Sequence, residues 1–154
     1  MKSWKAFFLI LLFFGLASAI IPWFYHQKQT LTIEELNRNS ELWKLEQPKS
    51  YNLRVFVEEN GTNSNWVFRI EKLKILSVSK NGKFLTEGDG LEYLPNSVFE
   101  KLQNWLIYKS QDDQLPYITA SFHSQFGYPL RAVLRRKSPE HRIEIRMFLE
   151  LKIT

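Results

Sequence analysis

The chain has 154 residues, 44% of them hydrophobic and 24% charged, which is the composition of a globular protein rather than of a disordered chain or a fibre. It has no cysteine, and this excludes a disulfide scaffold, a thiolate metal site, a cysteine nucleophile and a lipid anchor on cysteine. Three of its 21 basic residues and none of its 16 acidic residues lie before residue 30, so residues 30–154 carry a net charge of only +2, which gives little support for nucleic-acid binding.

An uncharged apolar segment, residues 6–25, follows Lys2 and Lys5 near the N-terminus. As a helix, its 20 residues would span roughly 30 Å, the thickness of the hydrocarbon core of a bilayer. The segment therefore predicts a transmembrane helix. The two lysines before it predict that the N-terminus stays in the cytoplasm.

This segment sets the expected domain organisation. We predict a signal anchor and linker over residues 1–29 and a single extracytoplasmic domain over residues 30–154, in a single-pass protein of the bacterial inner membrane. The alternative is a signal peptide cleaved after Ala19, because Ala17-Ser18-Ala19 fits the small-x-small cleavage pattern. The domain would then be periplasmic or secreted.

In the first half of the domain, one helix signal is followed by alternating apolar and polar residues. Thr32 and Glu35 fit a capping box that begins a helix. Alternation from Tyr51 onward indicates strands with one buried face. The predicted elements are a helix over 33–46, a strand over 51–58, a polar turn over 60–65, a strand over 66–71, and a strand over 74–79 that ends at Asn81-Gly82.

The second half repeats the order of a helix and then strands, after an irregular stretch over residues 84–95. Ser97 and Glu100 fit a second capping box, which predicts a helix over residues 98–108. The last strand has the strongest alternation in the chain. The predicted strands are 117–124, 130–135 and 142–153, separated by a turn at Gly127-Tyr128-Pro129 and another over residues 137–140.

Together these elements predict an α+β domain. Short connections favour antiparallel neighbours, because parallel strands need long crossovers. Each of the two amphipathic helices must bury its apolar side, and packing on a face of the sheet does this. We therefore expect an antiparallel sheet of about six strands with two helices packed on one face, preceded by the transmembrane helix.

Several separate segments carry a family resemblance. They are Leu42-Trp43, Tyr51 within SYNLRV, the Trp66–Gly82 strands, the helix start Ser97–Leu102, and the segment Phe122–Leu130 with its Gly127-Tyr128-Pro129 turn. Together they resemble the bacterial domain-of-unknown-function 6174 family over about residues 36–151. The resemblance implies a small exported protein, of a kind that is often a lipoprotein, with no established activity. Many members carry a cysteine pair near the first hairpin, where this chain has residues 60–65 and no cysteine.

No residue pattern predicts catalysis or a cofactor. The sequence has no nucleophile elbow, phosphate-binding loop or dinucleotide fingerprint. His26, His123 and His141 lie too far apart in sequence to have the spacing of a metal site. We therefore expect a protein that is not an enzyme and has no cofactor or metal.

One basic patch lies near the C-terminus. Its members, which fall within sixteen residues, are Arg131, Arg135, Arg136, Lys137, Arg142 and Arg146. On a hairpin, four of them would share a face, because strand residues four apart do so. These four are Arg131, Arg135, Arg142 and Arg146. Two interpretations remain: docking to anionic lipid head groups or another polyanion, or a solvated face with cross-strand arginine–glutamate pairs.

Two functional hypotheses follow. The first is a non-enzymatic, membrane-anchored domain that contacts another envelope protein or anionic lipid, with the membrane reached through residues 6–25 and no nucleic-acid partner. The second is a small-ligand carrier or an enzyme whose site lies between the helices and the sheet. A deep pocket with converging polar residues favours the second, and a filled core with a surface patch favours the first.

Overall fold

The computed structural model of the chain describes residues 4, 10–15, 18, 30–86, 88–109, 117–137 and 140–151. The chain divides into two units, Met1–Thr30 and Leu31–Thr154. In the first unit residues 10–15 are helical, and most of the predicted membrane segment lies outside the described residues. Within the described residues, no helix has both the length and the apolar character needed to cross a membrane.

The described part of the second unit is α+β, as predicted, and contains two α-helices, a short 3-10 helix and seven strands. In chain order the elements are α1 (Ile33–Glu46), β1 (Tyr51–Glu59), β2 (Thr62–Glu71), β3 (Lys74–Lys80), β4 (Lys83–Leu85), the 3-10 helix (Leu91–Tyr93), α2 (Pro95–Lys109), β5 (Tyr117–Phe122), β6 (Pro129–Lys137) and β7 (Glu140–Leu151).

All seven strands form one antiparallel sheet in the order β4-β3-β2-β1-β7-β6-β5. It consists of two meanders, β1 to β4 and β5 to β7, joined where β1 pairs with β7. The predicted number of six strands was too low because β4 was missed. With three residues at the edge of the sheet, β4 is too short to show alternation.

The two helix starts were predicted with different success. The start of α1 is confirmed: Thr32 is its N-cap, and the Thr32 hydroxyl accepts a hydrogen bond from the Glu35 backbone N–H at 3.2 Å. Helix α2 begins at Pro95, before the predicted capping box, so Ser97 lies inside the helix. Proline is favourable in the first turn of a helix, because backbone N–H groups in that turn have no hydrogen-bond partner within the helix. The N–H that proline lacks therefore costs no hydrogen bond.

The first hairpin turn is shorter than predicted. Asn60 and Gly61 have φ angles of 49° and 81°, and β2 begins at the next residue, Thr62. Two consecutive positive φ angles are typical of a two-residue type I′ turn, which matches the twist of the paired strands. The expectation of a polar turn as far as residue 65 was therefore wrong.

The core lies between the helices and one face of the sheet. Both helices contribute to a single buried cluster, α1 through Leu36 and Trp43 and α2 through Val98 and Leu102. The sheet contributes every second residue, as in β1, where the buried side chains are Tyr51, Leu53, Val55 and Val57. The two helices thus pack on the same face, as predicted. We call the opposite side the open face.

Candidate functional site

The open face carries a mixed aromatic and charged surface at the centre of the sheet, where β1 pairs with β7. Alternation places these side chains away from the core, and the antiparallel register sets them side by side. The opposing pairs are Arg54 with Phe148, Phe56 with Arg146, and Glu58 with Glu144.

Phe56 and Phe148 form the aromatic part of this surface. Their rings meet edge to face at a centroid distance of 5.8 Å, as diagonal neighbours on adjacent strands. Phe56 is 42% exposed and Phe148 is 51% exposed, although both lie on strands that are paired on both sides within the sheet. Arg54 lies beside them and forms an ion pair with Glu150 at 3.2 Å.

Three arginines converge on the carboxylate of Glu144. Arg131 Nε and Arg146 Nε donate hydrogen bonds to Oε1 at 2.8 and 2.7 Å, and Arg142 Nη2 donates to Oε2 at 2.6 Å. Arg142 and Arg146 precede and follow Glu144 by two residues, so the alternation of β7 places all three on one face. We call Arg131, Arg142 and Arg146 the arginine cluster.

Glu144 is only 1% exposed, so its charge depends on these partners. The hydrogen bond from Arg131 and the further bonds from Arg146 and Arg142 outweigh desolvation and lower the pKa of Glu144 to about 2. The same hydrogen bond raises the pKa of Arg131. With Glu144 ionised, the cluster carries three positive charges around one negative charge, while its arginine side chains remain about half exposed.

The predicted basic patch is only partly one surface. Register confirms that four of its residues share the open face, because Arg131 lies opposite Arg146 and Arg135 lies opposite Arg142. Arg136 lies opposite His141 on the other face, and Lys137 lies at the end of β6 with its side chain outside the described residues. Cross-strand arginine–glutamate pairing is present for Arg131.

Three residues that define this site were not predicted as site residues from the sequence: Glu144, Phe56 and Phe148. The Arg-Glu-Arg spacing of β7 was the available signal for Glu144, since residues two apart on a strand share a face. The signal for the phenylalanines was an aromatic residue at a solvent-facing position in each of two strands. Nothing in the local pattern showed that those strands pair.

A shallow groove of about 390 Å³ adjoins the cluster between β1, β2 and β7. Phe56, Glu58 and Arg146 line it, together with the amide side chains of Asn63, Asn65 and Asn81. The backbone N–H of Asn65 donates to Asn81 Oδ1 at 2.8 Å, whereas Asn65 Oδ1 is buried with no hydrogen-bond partner among the described residues. This lining can hydrogen-bond and pair with charged groups.

The described residues contain no group of three or more histidine, aspartate or glutamate side chains placed to hold a metal ion. His123 falls within the strand predicted over residues 117–124, but it lies in the turn after β5 and stacks on Phe126 and Tyr128. Its Nδ1 accepts the backbone N–H groups of Gln125 and Phe126, both at 3.3 Å. These contacts give it a structural role in the turn.

No protein-family model matches the chain, and no curated protein is significantly similar to it in sequence. The resemblance described above therefore stays a prediction, and the geometry of the open face is the basis for assigning a function.

Proposed function

We propose that this chain is a membrane-anchored extracytoplasmic domain, without catalytic activity, that binds an acidic segment of another envelope protein through its open face. The observation that carries the proposal is the exposed Phe56–Phe148 pair directly beside the arginine cluster. Aromatic residues, phenylalanine among them, and arginine are enriched at protein–protein interfaces, so exposed phenylalanine rings beside arginines fit a protein-binding surface.

The hydrogen-bond donors and the net charge of the arginine cluster support an acidic partner. Arg131 and Arg146 contact Glu144 through Nε, so the terminal Nη groups retain donors for a further acceptor. Glu144 holds the guanidinium groups in place, which lowers the entropy lost when a carboxylate binds them. Their net positive charge favours an anion over a cation.

A protein partner is favoured over a lipid surface by the composition of the face. Attraction to anionic lipid grows by about 1 kcal/mol with each basic residue near the surface. Here Glu144 neutralises part of the cluster, and Glu58 approaches Arg142 at 3.9 Å. The remaining charge is small, whereas the aromatic pair adds the apolar contact that protein interfaces use.

The proposed topology is supported by the uncharged segment over residues 6–25 and by the lysines before it. A reporter enzyme that is active only outside the cytoplasm, fused after Thr154, is expected to be active in cells. The matched fusion after Lys5, ahead of the segment, is expected to be inactive. Activity of the second fusion together with inactivity of the first would contradict the topology.

The proposed partner is tested by photo-crosslinking of the full chain in native membranes. With p-benzoylphenylalanine at position 148, we expect an adduct with one protein, and excess polyglutamate should suppress it. The control places the same photoreactive residue at Leu45, which is 81% exposed on α1. No such adduct is expected there, because Leu45 lies on the helical side of the domain.

Two outcomes would contradict this assignment. Equal adducts at both positions would show nonspecific contact. Adducts with lipid alone, together with salt-sensitive binding to anionic vesicles and none to neutral vesicles, would replace the protein partner with a lipid surface.

A further inference from the structure

The shallow groove beside the arginine cluster includes the start of β2, where the neighbouring strand stops. β3 ends at Lys80, opposite Trp66, and the chain then turns back at Asn81-Gly82 to form β4. β2 begins earlier, at Thr62. Among the described strands, this first part of β2 therefore pairs with β1 alone.

Asn63 presents its main chain along this unpaired part of β2. In an antiparallel sheet, the main-chain N–H and C=O of successive residues point alternately to the two sides of a strand. The Asn65 N–H donates to Asn81 Oδ1, and the Asn65 C=O accepts from the Asn81 N–H, both at 2.8 Å, so Asn65 points to the β3 side. Asn63, two residues earlier, points its N–H and C=O to the same side, beyond the end of β3, and it is exposed. A strand edge of this kind can pair with an added extended segment.

Arg146 supplies a positive charge on the other side of the same groove. Its Nε donates to Glu144 at 2.7 Å, so its Nη groups retain donors for a further acceptor. Phe56 lies between the two sides, opposite Asn65 on β2 and opposite Arg146 on β7. Two strand spacings, about 10 Å, separate β2 from β7, and about three residues of extended chain span this distance.

We infer that this groove binds the acidic segment of the partner in an extended conformation. The main chain of the segment hydrogen-bonds to the main chain of Asn63, and a carboxylate about three residues away pairs with Arg146. This inference rests on the proposed function and adds the conformation and the spacing of the segment. An extended chain fits the groove because its main-chain donors and acceptors are available, whereas those of a helix are already paired within the helix. The two carboxylates of the groove, Glu58 and Glu144, contact arginines of the cluster, so Arg146 is the charge that selects an acid.

The test uses the full chain labelled with ¹⁵N in detergent micelles and follows the main-chain N–H resonance of Asn63. The probe is a capped hexapeptide, acetyl-Glu-Val-Ser-Glu-Val-Ser-amide, whose carboxylates recur at every third residue. We expect the peptide to shift the Asn63 resonance with saturation and to slow the exchange of this N–H with solvent. The resonance of Asn52, at the other end of β1, should not change.

Two altered peptides separate the main-chain bonds from the charge. Replacing both glutamates by glutamine should weaken binding at least about tenfold, because the bonds to Arg146 are then no longer charge-assisted. N-methylation of every peptide nitrogen removes the main-chain donors and keeps both carboxylates. It should also weaken binding about tenfold, whereas binding by charge alone would not change.

Variants of the chain test the same two contacts by titration calorimetry. Asn63→Pro removes only the N–H that points away from β1, and proline is tolerated in a strand at such a position. It should lower the affinity about tenfold, whereas Asn63→Ala, which keeps the N–H, should stay within about threefold of wild type. Arg146→Gln should lower the affinity about tenfold, and its matched control Arg54→Gln, on the same face but outside the groove lining, should not.

The possible failures of the inference and of the proposed function are distinguishable. Binding that neither N-methylation nor a folded Asn63→Pro weakens would overturn the extended pairing, and so would binding without a saturable shift at Asn63. In both cases an acidic partner of the open face would stand. A glutamine peptide that binds as tightly as the glutamate peptide would overturn the acidic partner as well. If Asn63→Pro does not fold, the N-methylated peptide on the wild-type chain decides.

Discussion

Gly127→Ala is expected to lower the free energy of unfolding by about 2–4 kcal/mol. Gly127 has a φ of +75°, which an L-residue adopts only with strain. A Cβ atom at this position would also press on the backbone of α1, meeting the Asn39 carbonyl oxygen and lying 3.0 Å from the Trp43 nitrogen. Urea denaturation of the full chain measures the loss.

Gly61→Ala is the matched control for this substitution. Gly61 has a similar φ of +81°, but a Cβ atom there would meet nothing within 4 Å. It should therefore cost only the conformational strain, about 1–2 kcal/mol. The difference between the two variants measures the steric cost of a Cβ atom placed against α1, and equal losses would show that α1 accommodates this atom without cost.

Glu144→Gln is expected to destabilise the domain by about 2–3 kcal/mol at pH 7, because it removes the charge that three arginines surround. The loss should depend on pH. The pKa of Glu144 is lowered to about 2, so the carboxylate stabilises the fold fully above its ordinary value of 4.5 and progressively less as the pH falls toward 2. Urea denaturation between pH 2 and 7 should show the two proteins converging in acid.

Glu150→Gln is the control on the same strand and the same face. Glu150 pairs with Arg54 at 3.2 Å, but both side chains are about half exposed, so the expected change is about 0–1 kcal/mol. A Glu144→Gln loss no larger than this, or one that does not vary between pH 7 and pH 2, would show that the arginine cluster does not stabilise the fold.

Much of the fold could be predicted because local patterns determine it. The alternation in β1 and β7 defines a buried face, and Thr32 defines the start of α1. The edge strand β4 and the start of α2 at Pro95 were missed because three residues carry no periodic signal and the capping-box pattern at Ser97 had no structural counterpart.

The candidate site was less predictable because it depends on pairing between distant strands. Phe56 and Phe148 become neighbours only through the register of β1 with β7. The sequence located the arginines but could not show that they converge on a buried Glu144, since burial depends on what surrounds a side chain in three dimensions.

The central position of β7 has a consequence for folding. Because β7 follows every other described strand in the chain but lies between β1 and β6, nothing connects the first meander to β5 and β6 within the sheet until β7 is synthesised. Until then β1 and β6 each present an unpaired edge, which is a template for aggregation. Closure of the β1–β7 ladder brings together residues far apart in sequence, and such contacts make folding slow. The centre of the sheet therefore stays unpaired in a nascent chain through most of its synthesis.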